Sequence, residues 1–239
     1  MRTVFHTYER NIVSPKVSIA TCSFNRPAML RMAVASLRAQ TDPDWEHLIH
    51  DEGSTDPAID DVLKWAAEDT RVRVWRGHVN RDRPAVVWNH LLSMARGRYF
   101  CTLDDDNEKL PTFIATMSAA LDGDPDLGLV TCGFLVRQAG QPDWEHHHNL
   151  RTSPEVVADV STCEGGALLY RREAFAQVGP FSEELRTNED WEWVRRAVKV
   201  LKVKNLSECL TIYRQHDSQR QRRAEALGHS ADVARIRGQ

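Results

Sequence analysis

Three consecutive carboxylates, Asp104-Asp105-Asp106, follow directly on the apolar run Tyr99–Leu103. Like charges so close disfavour one another's ionised form unless a cation or water neutralises them. A divalent ion is the economical answer, and hard oxygen ligands suit Mg2+ or Mn2+, which keep waters and share a substrate's phosphates. A solvated acidic turn is the plain alternative, and the position after an apolar strand favours the ion. Further along, Cys163-Glu164-Gly165-Gly166-Ala167 sets two glycines where backbone can approach a ligand closely, or simply turn. Asn188-Glu189-Asp190-Trp191-Glu192-Trp193 opens a helical stretch, where carboxylates suit the dipole and serve as caps. Its tryptophans either wall a pocket or pack a core. His146-His147-His148 is a tempting metal run, but successive side chains of one segment seldom converge on one ion, so it reads as loop surface.

These residues need a frame that brings distant loops together. Short apolar runs ending in polar loops, each followed by a segment of helical period, are the grammar of a parallel α/β sheet. Val17–Cys22 reads as a strand, and Pro27 opens a helix with Leu30, Ala33, Val34 and Leu37 on one face, ending near Gln40. A strand at Glu46–His50 precedes a helix bearing Ile59, Val62, Leu63 and Ala66. Strands at Val72–Trp75 and Tyr99–Leu103 bracket a helix at Pro84–Ala95. Ligands in such sheets bind beyond the carboxyl ends of the strands, where Thr21 to Arg26, Asp51 to Asp56 and Asp104 to Asn107 all lie.

After Leu127–Val136 the rhythm fails, and Gln138–Asp159 reads as a long functional loop. Regular structure returns as a strand near Gly166–Tyr170, helices at Arg172–Val178 and Asp190–Val200, and strands near Lys202–Leu206 and Leu210–Tyr213. The tail from Gln219 reads as a solvated helix or as disorder. The expected layout is an extension over 1–16, one α/β domain over 17–218 and a tail over 219–239.

The succession strand, TCSFNRP, helix, AQTDPDWEHLIHDEGSTD, strand, LDDDN resembles the inverting glycosyltransferases of the GT-A fold, family 2, across about Val17 to Gln215. The resemblance implies one domain with a mostly parallel, Rossmann-like sheet flanked by helices. It implies Mn2+ or Mg2+ on a donor diphosphate, with Asp106 as direct ligand, Asp104 on metal or ribose, Asp105 in the same loop, and His216 completing the shell. It implies that Asp51 reads the base, although Glu52 stands where many members have a second aspartate, and that Thr21, Ser23, Asn25 and Arg26 cradle base and ribose through backbone groups. Arg83 matches a basic contact to the diphosphate and Asn89 a common asparagine, both also suited to a surface ion pair or helix-face hydrogen bond. Gly165 and Gly166 match an acceptor-side segment, Glu189 and Asp190 an acidic pair whose aspartate is the general base, and Trp191 a pocket wall. The reaction implied is sugar transfer from a UDP- or dTDP-sugar, with GDP also open, to a saccharide, lipid or small-molecule acceptor through a hydroxyl or amine. A sugar nucleotidyltransferase would need a Gly-rich triphosphate loop after the first strand, which Ser23-Phe24-Asn25-Arg26-Pro27 lacks. A non-catalytic nucleotide-sugar binder would have no use for Asp190.

The remaining composition narrows the class. Thirty-one Lys and Arg against 34 Asp and Glu give a formal charge of −3, which argues against nucleic acid as partner. The longest apolar stretches fall far short of the roughly 20 residues that span a bilayer. Met1–Lys16 carries Arg2, His6, Glu9 and Arg10 and lacks the apolar centre of a secretory signal. Five dispersed cysteines without a C-x-x-C pair read as reduced thiols, so a cytoplasmic protein is expected.

Overall fold

A nine-stranded sheet carries the molecule, in the order β3-β2-β1-β4-β8-β6-β9-β5, with β7 hydrogen-bonded to β6 off that path. The computed structural model describes residues 14–147, 164–217, 219 and 229–238. Strands β1 (Val17–Ser23), β2 (Trp45–Asp51), β3 (Val72–Arg76) and β4 (Tyr99–Thr102) form a parallel block. They alternate with helices α1 (Pro27–Arg38), α2 (Ala58–Ala67) and α3 (Pro84–Met94). Every residue of β2 is buried, as expected for a strand covered on both faces by crossover helices. The helices bury the faces that their spacing announces: Leu30, Ala33, Val34 and Leu37 on α1, and Ile59, Val62, Leu63 and Ala66 on α2. Pro27 and Pro84 sit in first helical turns, where a missing N–H costs nothing.

Beyond β4 the sheet becomes mixed. The two-residue β5 (Glu108–Lys109) and helix α4 (Phe113–Asp122) precede a long β6 (Leu127–Gln138). β7 (Trp144–His146) and β8 (Leu168–Arg171) both run against β6 on one edge, and β9 (Lys202–Gln215) runs parallel to it on the other. Helices α5 (Ala174–Val178) and α6 (Glu189–Ala197) separate β8 from β9, and α7 (His229–Arg237) comes last. One core cluster packs α1, α2 and α4 against one sheet face; a second gathers Trp88, Phe100, Tyr170, Phe181 and Trp193 on the other.

Several expectations change in structure. The stretches read as Lys202–Leu206 and Leu210–Tyr213 are one strand, because an irregular pairing with β6 keeps the ladder running through residues 206–209. The strand expected from Gly166 starts at Leu168, after a 3-10 turn over Gly165–Ala167. Helix α4 was not anticipated, although Phe113, Ile114, Met117, Ser118 and Leu121 form its buried face. The tail helix is docked, not solvated. Ile236 is fully buried against Leu185 and Trp191, and Asp232 accepts the backbone N–H groups of Arg186 and Thr187, both at 2.9 Å. Part of the loop expected over 138–159 folds back as β7; residues 148–163, including Cys163 and His148, lie outside the described residues, as do 1–13 of the expected extension. Cys22, Cys101, Cys132 and Cys209 form no disulfide among the described residues.

Candidate active site

The register Ser23–Asp51 between β1 and β2, and Ala20–Thr102 between β1 and β4, sets three polar loops side by side at the carboxyl end of the sheet. Asn25, in the left-handed region at φ 54°, laces two of them: its Oδ1 accepts from the N–H groups of Thr55 at 2.7 Å and Asp56 at 3.0 Å. Ser23 Oγ donates to Asp105 Oδ2 at 2.9 Å, and Arg26 Nη1 donates to Asp105 Oδ1 at 2.9 Å and Asp106 Oδ2 at 2.8 Å. Within the triplet, Asp105 therefore faces inward and braces the loop. Asp104 is half-buried, and Asp106 meets His216 Nε2 at 3.1 Å.

A second set of residues closes on these from the other half of the chain. Glu164 is buried at the head of the 3-10 turn, and the amide of Asn107 donates to it at 3.2 Å. Asn107 Oδ1 accepts from the N–H of Arg214 at 3.0 Å, so β9 is fastened to the same loop. Lys109 Nζ donates to the carbonyl of Gly166, fixing the turn from below. Asn188, left-handed at φ 60°, turns the chain into α6 so that Asp190 lies against Gly165. A Cβ on Gly165 would stand 3.1 Å from Asp190 Oδ2 and 3.3 Å from its Cβ, so this glycine permits the approach. The N–H of Trp191 donates to Asp190 Oδ1 at 2.7 Å, and that of Gly165 also holds this carboxylate.

The electrostatics follow from crowding. Burial first, then the charges of Asp106 and Asp105, push the Asp104 carboxyl up to about 7. Burial and the neighbouring Asp105 raise Asp106 to about 6, against the pull of Arg26. Burial, with Asp104 and Asp190 beside it, holds Glu164 well above the carboxylate range. Burial raises Asp190 to about 6, moderated by the N–H of Trp191 and reinforced by Asp104. Five acids, Asp104, Asp105, Asp106, Glu164 and Asp190, thus share one field with Arg26, Lys109 and Arg214 as neighbouring cations. Such a cluster, mostly oxygen with one imidazole, suits a hard divalent ion, and Asp104, Asp106 and His216 are the residues that would hold it.

Other expected site residues have partners elsewhere. Thr21 is fully buried, and its hydroxyl donates to the carbonyl of Leu103 at 2.8 Å, tying β1 to the start of the triplet's loop. Asp51 is fully buried; it accepts the N–H of Ser54 at 3.1 Å and the Ser54 hydroxyl, with Arg76 Nε 3.1 Å away. Arg83 donates to the carbonyl of Glu183 at 3.0 Å. Asn89 bridges the backbone of Phe181 and the side chain of Glu183, fastening α3 to the turn before α6. Trp191 is 1% exposed, under α7, and walls no cleft. Glu189 is buried at the start of α6. The reading of the sequence missed Glu164, Asn107 and Lys109 as site residues. The signal was the adjacency of Glu164 to the glycine pair, and of Asn107 and Lys109 to the triplet.

With this geometry in place, the comparison with known proteins decides the family. Residues 18–179 match the profile described as Glycosyl transferase family 2. The chain belongs to that family. This family-2 chain is 30% identical over 165 residues to the O-antigen biosynthesis protein RfbC of Myxococcus xanthus, covering 65% of this chain and 12% of RfbC. Among solved structures, S. aureus TarS 1-349 in complex with UDP-GlcNAc superposes with a TM-score of 0.70 at 17% identity, over 85% of this chain and 60% of that one. The mannosyltransferase PcManGT of Pyrobaculum calidifontis, in complex with GDP-Man and Mn2+, gives 0.68 at 16% identity, over 94% and 63%. The likeness places the family-2 chain in the GT-A fold, with a curled, mostly parallel sheet. No helix among the described residues is long and apolar enough to cross a membrane.

Proposed function

We propose that this chain transfers a sugar from a nucleoside diphosphate donor, UDP- or dTDP-linked, to an acceptor hydroxyl or amine with inversion at the anomeric carbon. The observation that carries the proposal is the meeting of Asp190 with the strand-end carboxylates: Gly165 lies against both Asp190 and Thr102 at the end of β4, so residues some 85 positions apart in sequence share one field. The UDP-GlcNAc and GDP-Man complexes of the structural neighbours support a nucleotide-sugar donor, and the Mn2+ of PcManGT supports a metal on Asp104, Asp106 and His216. When bound, the ion supplies positive charge to the leaving diphosphate.

The chain's own residues do the rest. Asp190 accepts the acceptor proton as the acceptor oxygen or nitrogen forms its bond to the anomeric carbon and the diphosphate oxygen departs from the opposite face. The N–H groups of Trp191 and Gly165 hold the Asp190 carboxylate in place for that transfer. Arg26, forked between Asp105 and Asp106, supplies a fixed positive charge beside the carboxylates that would hold the ion. Asp51 acts as a positioning residue, shaping the base pocket through Ser54 and Arg76.

A thermal-shift panel of UDP-, dTDP- and GDP-sugars, each with and without Mn2+, tests the donor assignment. A donor at a hundredfold excess over its Kd adds about 2.7 kcal/mol, or roughly 5–10 °C in Tm for a chain of this size. Stabilisation by none of them under any metal overturns it. Asp190→Asn should retain donor binding while losing about 10²–10⁴-fold in transfer rate, and undiminished turnover would remove Asp190 as the base.

A further inference from the structure

A second cluster of metal-ligating side chains lies outside the cleft, where β7, β6 and β9 run side by side. Side chains on strands two apart in a sheet stand about 10 Å from each other and ordinarily cannot meet, because the strand between them fills the gap. Here the intervening position is Gly133. It pairs with Cys209 on the β9 side, and it lies one step beyond the Phe134–His146 pair on the β7 side, opposite His147. With no side chain between them, His147 and Cys209 lean together over the glycine. A Cβ there would stand 2.7 Å from His147 Nδ1 and 2.8 Å from Cys209 Sγ. The alignment depends on the irregular pairing of β9, which passes from the Thr131–Asn205 pair to the Gly133–Cys209 pair with two extra residues on β9.

The strand alternation completes the set. Glu145, two residues before His147 and on the same face, brings its Oε2 within 3.2 Å of His147 Nε2. His146 faces the opposite side, where its ring packs on Phe134 at 4.8 Å. The histidine run is therefore divided between two faces, and only His147 of this pair joins the cluster. One ligand atom each from Glu145, His147 and Cys209 lie within 4.8 Å of one another. The His146 N–H donates to the Cys209 sulfur, which steadies it.

We propose that Glu145, His147 and Cys209 form a second metal site, for Zn2+, that clasps β7 to β9 across β6. The donor chemistry selects the ion: one thiolate, one imidazole and one carboxylate suit borderline-soft Zn2+, whereas Mg2+ and Mn2+ prefer sets dominated by oxygen and free of sulfur, such as the cleft's. Three protein ligands with solvent at a fourth position satisfy tetrahedral zinc. The clasp is independent of the transfer chemistry and stands whether or not that reading holds.

The test uses the full chain, reduced and stripped of metal, carrying Asp106→Asn so that the cleft carboxylates contribute little. Titration with Co2+ should reach one equivalent with a thiolate-to-metal charge-transfer band, which Zn2+ abolishes and a large excess of Mg2+ leaves intact. Cys209→Ser should eliminate the band, and His147→Gln and Glu145→Gln should each weaken Zn2+ binding at least tenfold. Gly133→Ala alters no ligand, yet should weaken it comparably by driving His147 and Cys209 apart. Absence of the band in the parent, or Zn2+ affinity unchanged by both Cys209→Ser and His147→Gln, overturns the site.

Discussion

At the scale of single residues, burial makes the clustered acids harder to ionise than they would be in water. Asp190, raised to about 6 by burial, is largely ionised at neutral pH and remains a better base than a solvent-exposed aspartate. A base must be deprotonated to act, so transfer should fall about tenfold per pH unit below about 6, measured as kcat/KM against pH, which reports the free protein. An alkaline-shifted or absent acid limb would count against Asp190 as the base. Gly165→Ala probes the same carboxylate from behind. A methyl 3.1 Å from Asp190 Oδ2 must push it by a few tenths of an ångström, and about a tenfold loss in kcat with donor KM unchanged is expected. Equal losses in both parameters would instead place Gly165 in donor binding.

At the scale of elements, the site depends on contacts that hold α6 at the correct height. Asn89 on α3 fixes the 181–183 turn, Asn188 provides the left-handed step into α6, and α7 covers Trp191 from outside. Ile236 contributes the fully buried apolar side chain of α7, and Asp232 caps the turn before α6 through Arg186 and Thr187. Ile236→Ala should cost about 2–3 kcal/mol, at the low end for a buried isoleucine because the helix is terminal and can settle. That corresponds to a fall of roughly 4–12 °C in Tm, read by calorimetry. An unchanged Tm would mean that α7 is not docked in solution. Much of the element pattern was legible in the sequence. Leu30 to Leu37 and Ile59 to Ala66 carry an unambiguous helical period, and β2 and β4 are bounded by polar loops. The 229–237 helix was not legible as a docked element, because one buried isoleucine among Arg and Ala gives too little apolar face to distinguish it from a solvated one.

At the scale of the whole molecule, the acid cluster links stability to pH, and the proposed ion would enter the same balance. Asp104 and Asp106 have folded-state values of about 7 and about 6, above the unfolded value of 3.8. Between those limits the folded state binds more protons than the unfolded one, so stability from these groups is full near pH 4 and is lost as pH rises through 6 to 7. The metal-free chain should therefore gain about 1–2 kcal/mol from Asp104→Asn at pH 8, discounted because Asp104 is only partly buried, or roughly 2–8 °C. The gain should shrink as pH falls and vanish only near pH 4, where the carboxyl is protonated in the unfolded chain as well as in the native one. Mn2+ should stabilise the parent more at pH 8 than at pH 6, because protons and the ion compete for the same oxygens. A pH-independent response to Mn2+ would sever the link between the cluster and the ion.

The sequence by itself determined the parallel α/β block and the strand-end placement of Asp51 and Asp104 to Asp106, because hydrophobic period and turn chemistry are local properties of the chain. The family resemblance likewise rested on residues close in sequence. Only the tertiary structure decided which of those carboxylates turn to the cleft and which brace it: Asp105 is claimed by Ser23 and Arg26, and Asp51 by Ser54 and Arg76. It also decided that Glu164 joins Asp190 and the triplet, that Trp191 packs beneath a helix, and that Gly133 lets His147 reach Cys209. Each of these depends on strand register and on partners from distant parts of the chain, and spacing along a sequence carries no information about which side chain gets there first.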